Sequence, residues 1–511
     1  MLSKINAAVI NGVAAVPVTI ETDISRGLPN LYIVGQPDIS VKEARERIRS
    51  AIVNSGMENP NGRITINLSP AGIRKRGSHF DLAMAMGILA ASGQVFTRNL
   101  ENFCFAGELS LDGSLQKTSG ILPMAMAAKK AGVENIIVPK VNEKEAMLVQ
   151  GIQIYGAENL KDVVDFFNLE KDLEGRWGHL PESIAESPYE IDFFEVKGQE
   201  AAKRALMVAV SGGHGILMTG SPSTGKTMLA ERIPTIMPKM TPDEILETTM
   251  IYSIAGLLHE GMPCVLKRPF RRPSHGTTVA GMLGGGHNVP KPGEITLANN
   301  GVLFLDEAGE FNRHVIDALR TPLEKKCIAL TRKGITYTYP AEFMLVAASN
   351  PCKCGYADDP VHPCTCTPSE INQYRSKLSG PILERIDMHL LLQPVPYSQL
   401  NHENCETKEN ILSSQMMREQ IEKARKIQRE RYSGTGIYLN QQMTDKMVET
   451  YCPLGSEEQA MIAQAYSSLK LNPRTLMRVK RVARTIADLE QSEEIKVCHL
   501  AEALQYRERK W

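Results

Sequence analysis

Gly215-Ile216-Leu217-Met218-Thr219-Gly220-Ser221-Pro222-Ser223-Thr224-Gly225-Lys226-Thr227 is the stretch whose reading decides the fold. Gly215 to Thr219 has the pattern of a buried strand, and Gly220 to Thr227 fits G-x-x-x-x-G-K-T. Glycines at both ends of the loop let the backbone wrap a phosphate chain, with N–H groups and the following helix N-terminus facing the negative charge. Lys226 then reaches the outer phosphates and Thr227 ligates Mg²⁺, while Ser221, Pro222, Ser223 and Thr224 form the cradle. A strand before the motif and a helix after it argue against a chance turn.

Outward from this loop, Gly301-Val302-Leu303-Phe304-Leu305 is a second buried-strand pattern, and it ends in Asp306-Glu307. Phosphoryl transfer to water needs a neutralised phosphate and an aligned nucleophile. Asp306 is therefore expected to hold Mg²⁺ through water, and Glu307 to polarise the attacking water. Alone, the two acids would be strand-end charges; the phosphate loop gives them a task. A third apolar strand, Phe343 to Ala348, delivers Asn350 to the same sheet edge, where its amide can orient that water near the γ-phosphate.

Around these motifs, residues 190–400 alternate apolar strands with polar or glycine-rich turns and helical patterns, which predicts a parallel sheet with crossover helices. Residues 401–511 read as helical. Residues 1–168 mix short β patterns such as Val16, Val18 and Ile20 with amphipathic helices, an α/β or α+β domain. In one of those helices Ser40 is the expected cap and Glu43 completes a capping box. Val41, Ala44, Ile48 and Ile52 make its apolar stripe, and Gly56 follows its end. Over 169–189 the periodicity fades into charged sequence with Pro181 and Pro188, which predicts a linker. No repeat of solenoid period and no low-complexity tract is present.

A chain of 511 residues exceeds one core, so two or three domains are expected. Lys plus Arg equals Asp plus Glu at 58 each, so a nucleic-acid contact has to come from a local patch. Aromatics at 5%, with Trp177 and Trp511 the tryptophans, argue against a base-stacking platform. The start lacks signal-peptide character and no apolar run approaches the ~20 residues a bilayer needs. The expected location is cytoplasmic, without a membrane partner.

The order of these motifs, with Val196-Lys197-Gly198-Gln199 ahead of the phosphate loop, resembles the AAA+ ATPases. Arg268-Pro269-Phe270-Arg271-Arg272-Pro273, Gly284-Gly285-Gly286, Pro292-Gly293-Glu294-Ile295 and the run from Leu378 to Asp387 narrow the resemblance to the magnesium-chelatase-like ComM/YifB family. It covers nearly the whole chain. The resemblance implies a Lon-protease-like N-terminal domain, an AAA+ P-loop core and a C-terminal helical lid, with ATP and Mg²⁺ as cofactors.

The same resemblance makes Arg385 the arginine finger that reaches a neighbouring subunit's γ-phosphate; otherwise it is a surface partner of Asp387. Arg474, at a helix start behind the cap Asn472 and Pro473, resembles the lid arginine called sensor 2. On the same helix Arg478, Lys480, Arg481 and Arg484 are expected to form a solvated face. Ser223 stands where many AAA+ loops carry glycine, and Arg272 and Ser274 depart from the family's inserts.

In the N-terminal region, Asn67 to Pro70 and Gly77 to Leu89 look like the segment carrying the Lon serine, and Ser119 to Ala128 like that carrying its lysine. A Ser–Lys dyad needs a hydroxyl beside a desolvated amine. The alignment puts His79 and Leu122 at those positions, with Ser78 one residue out of register, so no peptidase activity is expected.

Two further features carry chemistry. Cys327 to Thr331 and Ile335 to Tyr339 are strand patterns joined by Arg332-Lys333-Gly334, a hairpin with a basic tip whose glycine suits the left-handed position. Arg332 and Lys333 are candidate DNA-phosphate contacts, against the plainer role of a solubilising tip. Cys352, Cys354, Cys364 and Cys366 are spaced as paired C-x-C, so four thiolates can meet one structural Zn²⁺, or stand as four reduced thiols in a loop.

The expectation is an ATP-hydrolysing ring of identical subunits, a hexamer, that translocates on or remodels DNA. For the family resembled, the implied activity is helicase-type branch migration in recombination or natural transformation. Two readings stay open beside it. One is a magnesium chelatase ATPase subunit, although the chain has no D-x-S-x-S metal-adhesion motif. The other is a protein-remodelling chaperone with Tyr337 and Tyr339 as its pore aromatics.

Overall fold

The structure is a computed structural model that describes residues 2–179, 189–259, 262–286, 290–357, 359, 362–395 and 412–507. Pro181, Pro188, Trp511 and the start of the expected lid at 401 lie outside the described residues.

An eight-stranded mixed sheet organises the N-terminal region, in the order Gly175–Trp177, Gln153–Ala157, Asn135–Pro139, Phe103–Phe105, Leu2–Asn11, Ala14–Ser25, Arg63–Ser69, Asn30–Val34. Alternation along Leu2–Asn11 decides its two faces. Ile5, Ala7 and Val9 pack with the apolar helix Asp81–Ala91, while Ala8 turns to the opposite core with Ile121, Leu122 and Ala125. This is the expected α+β arrangement of the N-terminal region. Gly175–Trp177 pairs antiparallel with Gln153–Ala157, so the first sheet draws in chain beyond residue 168.

The helix Ile39–Asn54 buries the expected stripe of Val41, Ala44, Ile48 and Ile52. Its cap differs from the expected Ser40. Asp38 is the N-cap and accepts from Val41 N at 3.0 Å, and Ser40 donates its hydroxyl to the same carboxylate at 2.7 Å. An ionised acceptor at a helix N-terminus outcompetes a hydroxyl, which here supports the cap instead.

The second sheet is parallel throughout, in the order Phe270–Arg271, Val302–Leu305, Met344–Ser349, Ile216–Gly220, Met388–Leu392. Ile216 and Met218 face one core and Leu217 the other. The first of these cores is shared with the C-terminal helices through Met417, Ile421, Val479, Val482 and Ile486, so the lid and the sheet bury apolar surface against each other. Helix Pro473–Leu489 supplies much of it, and its start is as expected: Asn472 accepts from Thr475 N at 2.7 Å ahead of Pro473.

Its arginines do not form the expected solvated face. Arg478 is buried and donates to Ile386 O at 2.8 Å, and Arg484 is buried against Asp488 Oδ1 at 3.1 Å and Glu493 O at 2.7 Å. A guanidinium offers five donors in a plane, and neighbouring carbonyls and carboxylates satisfy them inside the fold. The helix Pro242–Ala255 meets the N-terminal region: Glu145 accepts from Ser253 at 2.5 Å, and Leu246 and Met250 pack on the N-terminal core.

Candidate nucleotide site

Parallel register brings the three strand-end motifs to one edge. Thr219 pairs with Ser349 and Gly220 with Leu392, while Leu305 pairs with Ala347. Asp306, Asn350 and the phosphate loop therefore leave neighbouring strands at the same end of the sheet, the edge where open α/β sheets bind ligands.

The loop from Gly220 to Thr227 curls over that edge and enters the helix Lys226–Glu231. Ser223 at φ 65° and Gly225 at φ 87° both take left-handed backbone, so the serine occupies the strained position that glycine takes more readily. Lys226 Nζ turns back on the loop, donating to Gly220 O at 2.7 Å and Ser221 O at 2.8 Å. Burial pushes its ammonium down to about 8, against the opposing pull of Asp306 and Glu307.

Thr227 Oγ1 donates to Asp306 Oδ2 at 3.1 Å. These oxygens are hard donors at one point beside the lysine, which fits a Mg²⁺ ion held through one or two protein oxygens and water. Glu307 is exposed at φ 48°, a left-handed turn that swings its side chain off the strand line. Bound Mg²⁺ would neutralise phosphate charge there; Glu307 and Asn350 would align and polarise the water.

Beside the phosphate loop lies a cavity of about 500 Å³. Val196, Lys197 and Gln199 line it with the loop residues Pro222 to Gly225, and Tyr356, Asp359 and His362 close its outer wall. Gln199 Nε2 ties Thr224 O at 3.3 Å to Gln393 O at 2.8 Å, joining the loop to the last strand.

Two residues at this edge were not among the expected site residues. Arg272 donates to Asp306 Oδ2 at 2.5 Å and to Glu231 Oε1 at 3.1 Å. Its position after the edge strand Phe270–Arg271 puts it there, which only strand order reveals. Tyr374 packs under the same edge, where a side chain added at Gly309 would meet its ring at 2.5 Å. Among the family-like segments, Arg271 grips Glu294 with two bonds of 2.7 and 2.8 Å, so the arginine-rich and Pro-Gly-Glu motifs hold each other.

Arg385 lies elsewhere. It precedes Met388, which pairs with Ile216 at the start of the strand Ile216–Gly220, whereas the phosphate loop leaves that strand at its other end. At about 3.3 Å per residue the sheet stands between this arginine and its own chain's phosphates. Arg385 pairs with Glu324 rather than Asp387, whose partner is His214 at 2.9 Å. Arg474 joins the same cluster, 3.2 Å from Glu384 and 3.9 Å from Glu324. Both arginines thus sit together, remote from the loop.

The basic hairpin is present as Cys327–Arg332 and Ile335–Pro340. Arg332 pairs with Ile335, which makes the tip a two-residue turn, Lys333-Gly334, in place of the expected three-residue loop. Both residues take positive φ, 50° and 79°, the geometry whose twist matches paired strands. Arg332 and Lys333 are exposed. Tyr337 and Tyr339 are buried in the core beneath, so the expected pore aromatics are core residues.

In the N-terminal domain His79 is buried, 3.0 Å from Ala8 O, and Leu122 lies in the apolar core. Ser78 donates to the carboxylate of Glu108.

The four cysteines converge. Sγ of Cys352 lies 3.3 Å from Cys354 and 3.7 Å from Cys364, and Cys354 is 3.4 Å from Cys364. All four sulfurs, Cys366 included, fall within 4.8 Å of one another. Among the described residues no helix is long and apolar enough to cross a membrane.

Comparison with known proteins agrees with this architecture. Family profiles described as "Magnesium chelatase, subunit ChlI", "Subunit ChlI of Mg-chelatase" and "Magnesium chelatase, subunit ChlI C-terminal" match residues 192–400, 20–142 and 412–507. Competence protein ComM of Haemophilus influenzae is 41% identical over 97% of this chain and 95% of its own. The uncharacterized protein YifB of Escherichia coli is 40% identical over 99% and 97%. Two likenesses are partial: Lon protease 2 of Bacillus subtilis at 30% over 27% of this chain and 25% of its own, and DNA replication licensing factor mcm7 of Schizosaccharomyces pombe at 24% over 61% and 39%. With a Lon-like domain, a parallel P-loop core and a helical lid in one chain, this protein belongs to the ComM/YifB family of magnesium-chelatase-like AAA+ ATPases.

Proposed function

We propose that this ATPase works as a ring, a hexamer of identical chains in the cytoplasm, that uses Mg²⁺-dependent ATP hydrolysis to move on DNA and drive branch migration. The observation that carries the ring is the separation of Arg385 and Arg474 from their own phosphate loop. Hydrolysis needs a mobile cation on the transition state, and a neighbour in a closed cyclic assembly supplies one at every site.

The DNA part rests on the hairpin. A two-residue turn exposes Lys333 beside Arg332 on a stiff stalk whose tyrosines are anchored in the core. Repeated around a ring, such tips would contact phosphates without reading bases, giving salt-sensitive binding. The names of the similar proteins, a competence protein and a DNA replication licensing factor, support the same class of partner. His79 and Leu122 in the core leave the N-terminal domain as a non-peptidase scaffold.

The test is steady-state ATPase with and without single-stranded, duplex and four-way-junction DNA, alongside Glu307→Gln and Lys333→Ala. Stimulation by DNA is expected, lost with Lys333→Ala and absent throughout with Glu307→Gln. ATPase indifferent to every DNA would overturn the DNA reading and favour a protein client.

A further inference from the structure

The loop that begins two residues after Asn350 and ends at the cap of the next helix has two features the nucleotide site does not explain. Its two ends carry the four cysteines, which converge; between them in the sequence stand Tyr356, Asp359 and His362, which line the cavity beside the phosphate loop. Between them, Gly355 lies so close to the phosphate loop that an added side-chain carbon would come within 2.7 Å of the Pro222 ring.

We propose that Cys352, Cys354, Cys364 and Cys366 bind one Zn²⁺ as four thiolates, and that this ion holds the loop against the phosphate loop as the wall of the nucleotide's base pocket. Tetrahedral zinc–thiolate bonds of about 2.3 Å put neighbouring sulfurs about 3.8 Å apart. The separations of 3.3, 3.4 and 3.7 Å lie close to that spacing and well outside a disulfide bond. Four sulfurs complete the coordination shell and leave no position for a substrate, so the site is structural. His362 is not needed as a ligand: its Nδ1 is 3.3 Å from Asp359, and its ring packs 5.0 Å from Tyr356 on the cavity side.

The cluster closes the loop where both flanks are already fixed. On one side Arg375 donates to Pro351 O at 2.9 Å; on the other Thr367 and Glu370 form a capping box directly after Cys366. Joining those flanks removes the loop's freedom to swing away from Pro222, since closing a long loop restricts its open conformations most. Each thiol must lose its proton to bind the ion as thiolate, and the free energy of binding becomes free energy of ordering this wall.

This coupling rests on the nucleotide site proper, and the experiment separates the two. Full-length protein purified without chelators is analysed for metal content and visible absorption. About one zinc per chain and a colourless protein are expected, with the zinc lost in the double variant Cys364→Ser/Cys366→Ser. Fluorescent mant-ADP affinity is then measured on the same protein as purified, after chelator stripping, and after Zn²⁺ is restored. Stripping should weaken binding by about tenfold and zinc should restore it. Tyr356→Ala, which keeps every ligand, should retain zinc and show a similar loss.

Protein without metal, or with an iron–sulfur chromophore, would overturn the zinc assignment. Equal affinity in the stripped and loaded forms would overturn the coupling. Zinc-loaded protein that binds no nucleotide would refute the coupling through the nucleotide site itself, with metal content still reading the thiolate assignment separately.

Discussion

Arg272 donates to Asp306 Oδ2 at 2.5 Å, the same oxygen that accepts from Thr227 at 3.1 Å. The guanidinium therefore stands against the carboxylate that Mg²⁺ would use. Arg272 is 45% exposed, and an ion pair in that setting contributes about 0–1 kcal/mol. Arg272→Ala should lower the Mg²⁺ concentration for half-maximal ATPase by up to about fivefold. A rise instead would mean that Arg272 contacts phosphate rather than competing with the metal.

The remote placement of Arg385 makes a mixing experiment decisive. Glu307→Gln and Arg385→Ala should each lower ATPase by at least ~10²-fold while sparing nucleotide binding. Mixed together, the intact Glu307 of one chain can meet the intact Arg385 of the other, and activity should recover. No recovery at any ratio would place the finger in its own chain's site.

Lys226 gives the nucleotide site a pH dependence. Its ammonium, lowered to about 8 by burial, is charged below that pH and neutral above it. ATP binding above pH 8 must also capture a proton, so affinity should fall by up to about tenfold per pH unit there and stay flat below. Calorimetry in buffers of different ionisation heat measures the uptake directly. An affinity that is flat to pH 10 would contradict it.

His79 makes the N-terminal domain acid-sensitive. Burial lowers its imidazole to about 4 from the ordinary 6.5, so the unfolded chain binds the extra proton between those values. Stability is therefore full above pH 6.5 and falls toward pH 4, by at most about 1.4 kcal/mol per unit from this group. Asp81, raised to about 6 mainly by burial, acts in the opposite sense, so the comparison is with a variant. His79→Gln should flatten the melting-temperature profile between pH 6.5 and 5; an unchanged slope would assign the loss to other groups.

The meeting of the strand-end motifs was legible because its parts are local. Gly220 to Thr227, Asp306-Glu307 and Asn350 each sit at the end of an apolar run, and parallel pairing must carry such ends to one edge. The hairpin was also readable, although its register gives Lys333-Gly334 as the turn instead of a longer tip. Where local reading failed, a nearby competitor decided: Asp38 took the cap from Ser40, and buried carbonyls and Asp488 took the arginines from solvent.

By itself, then, the sequence determined the mixed α/β class, the parallel sheet around the phosphate-loop motif and the family, because strand periodicity and a contiguous loop depend on neighbours in the chain. Tertiary structure alone decided that Arg272 meets Asp306, that Arg385 and Arg474 share Glu324 away from their own phosphates, and that the cysteine loop rests on Pro222. Those relationships join residues far apart in sequence, and strand order and packing set them, not any local pattern.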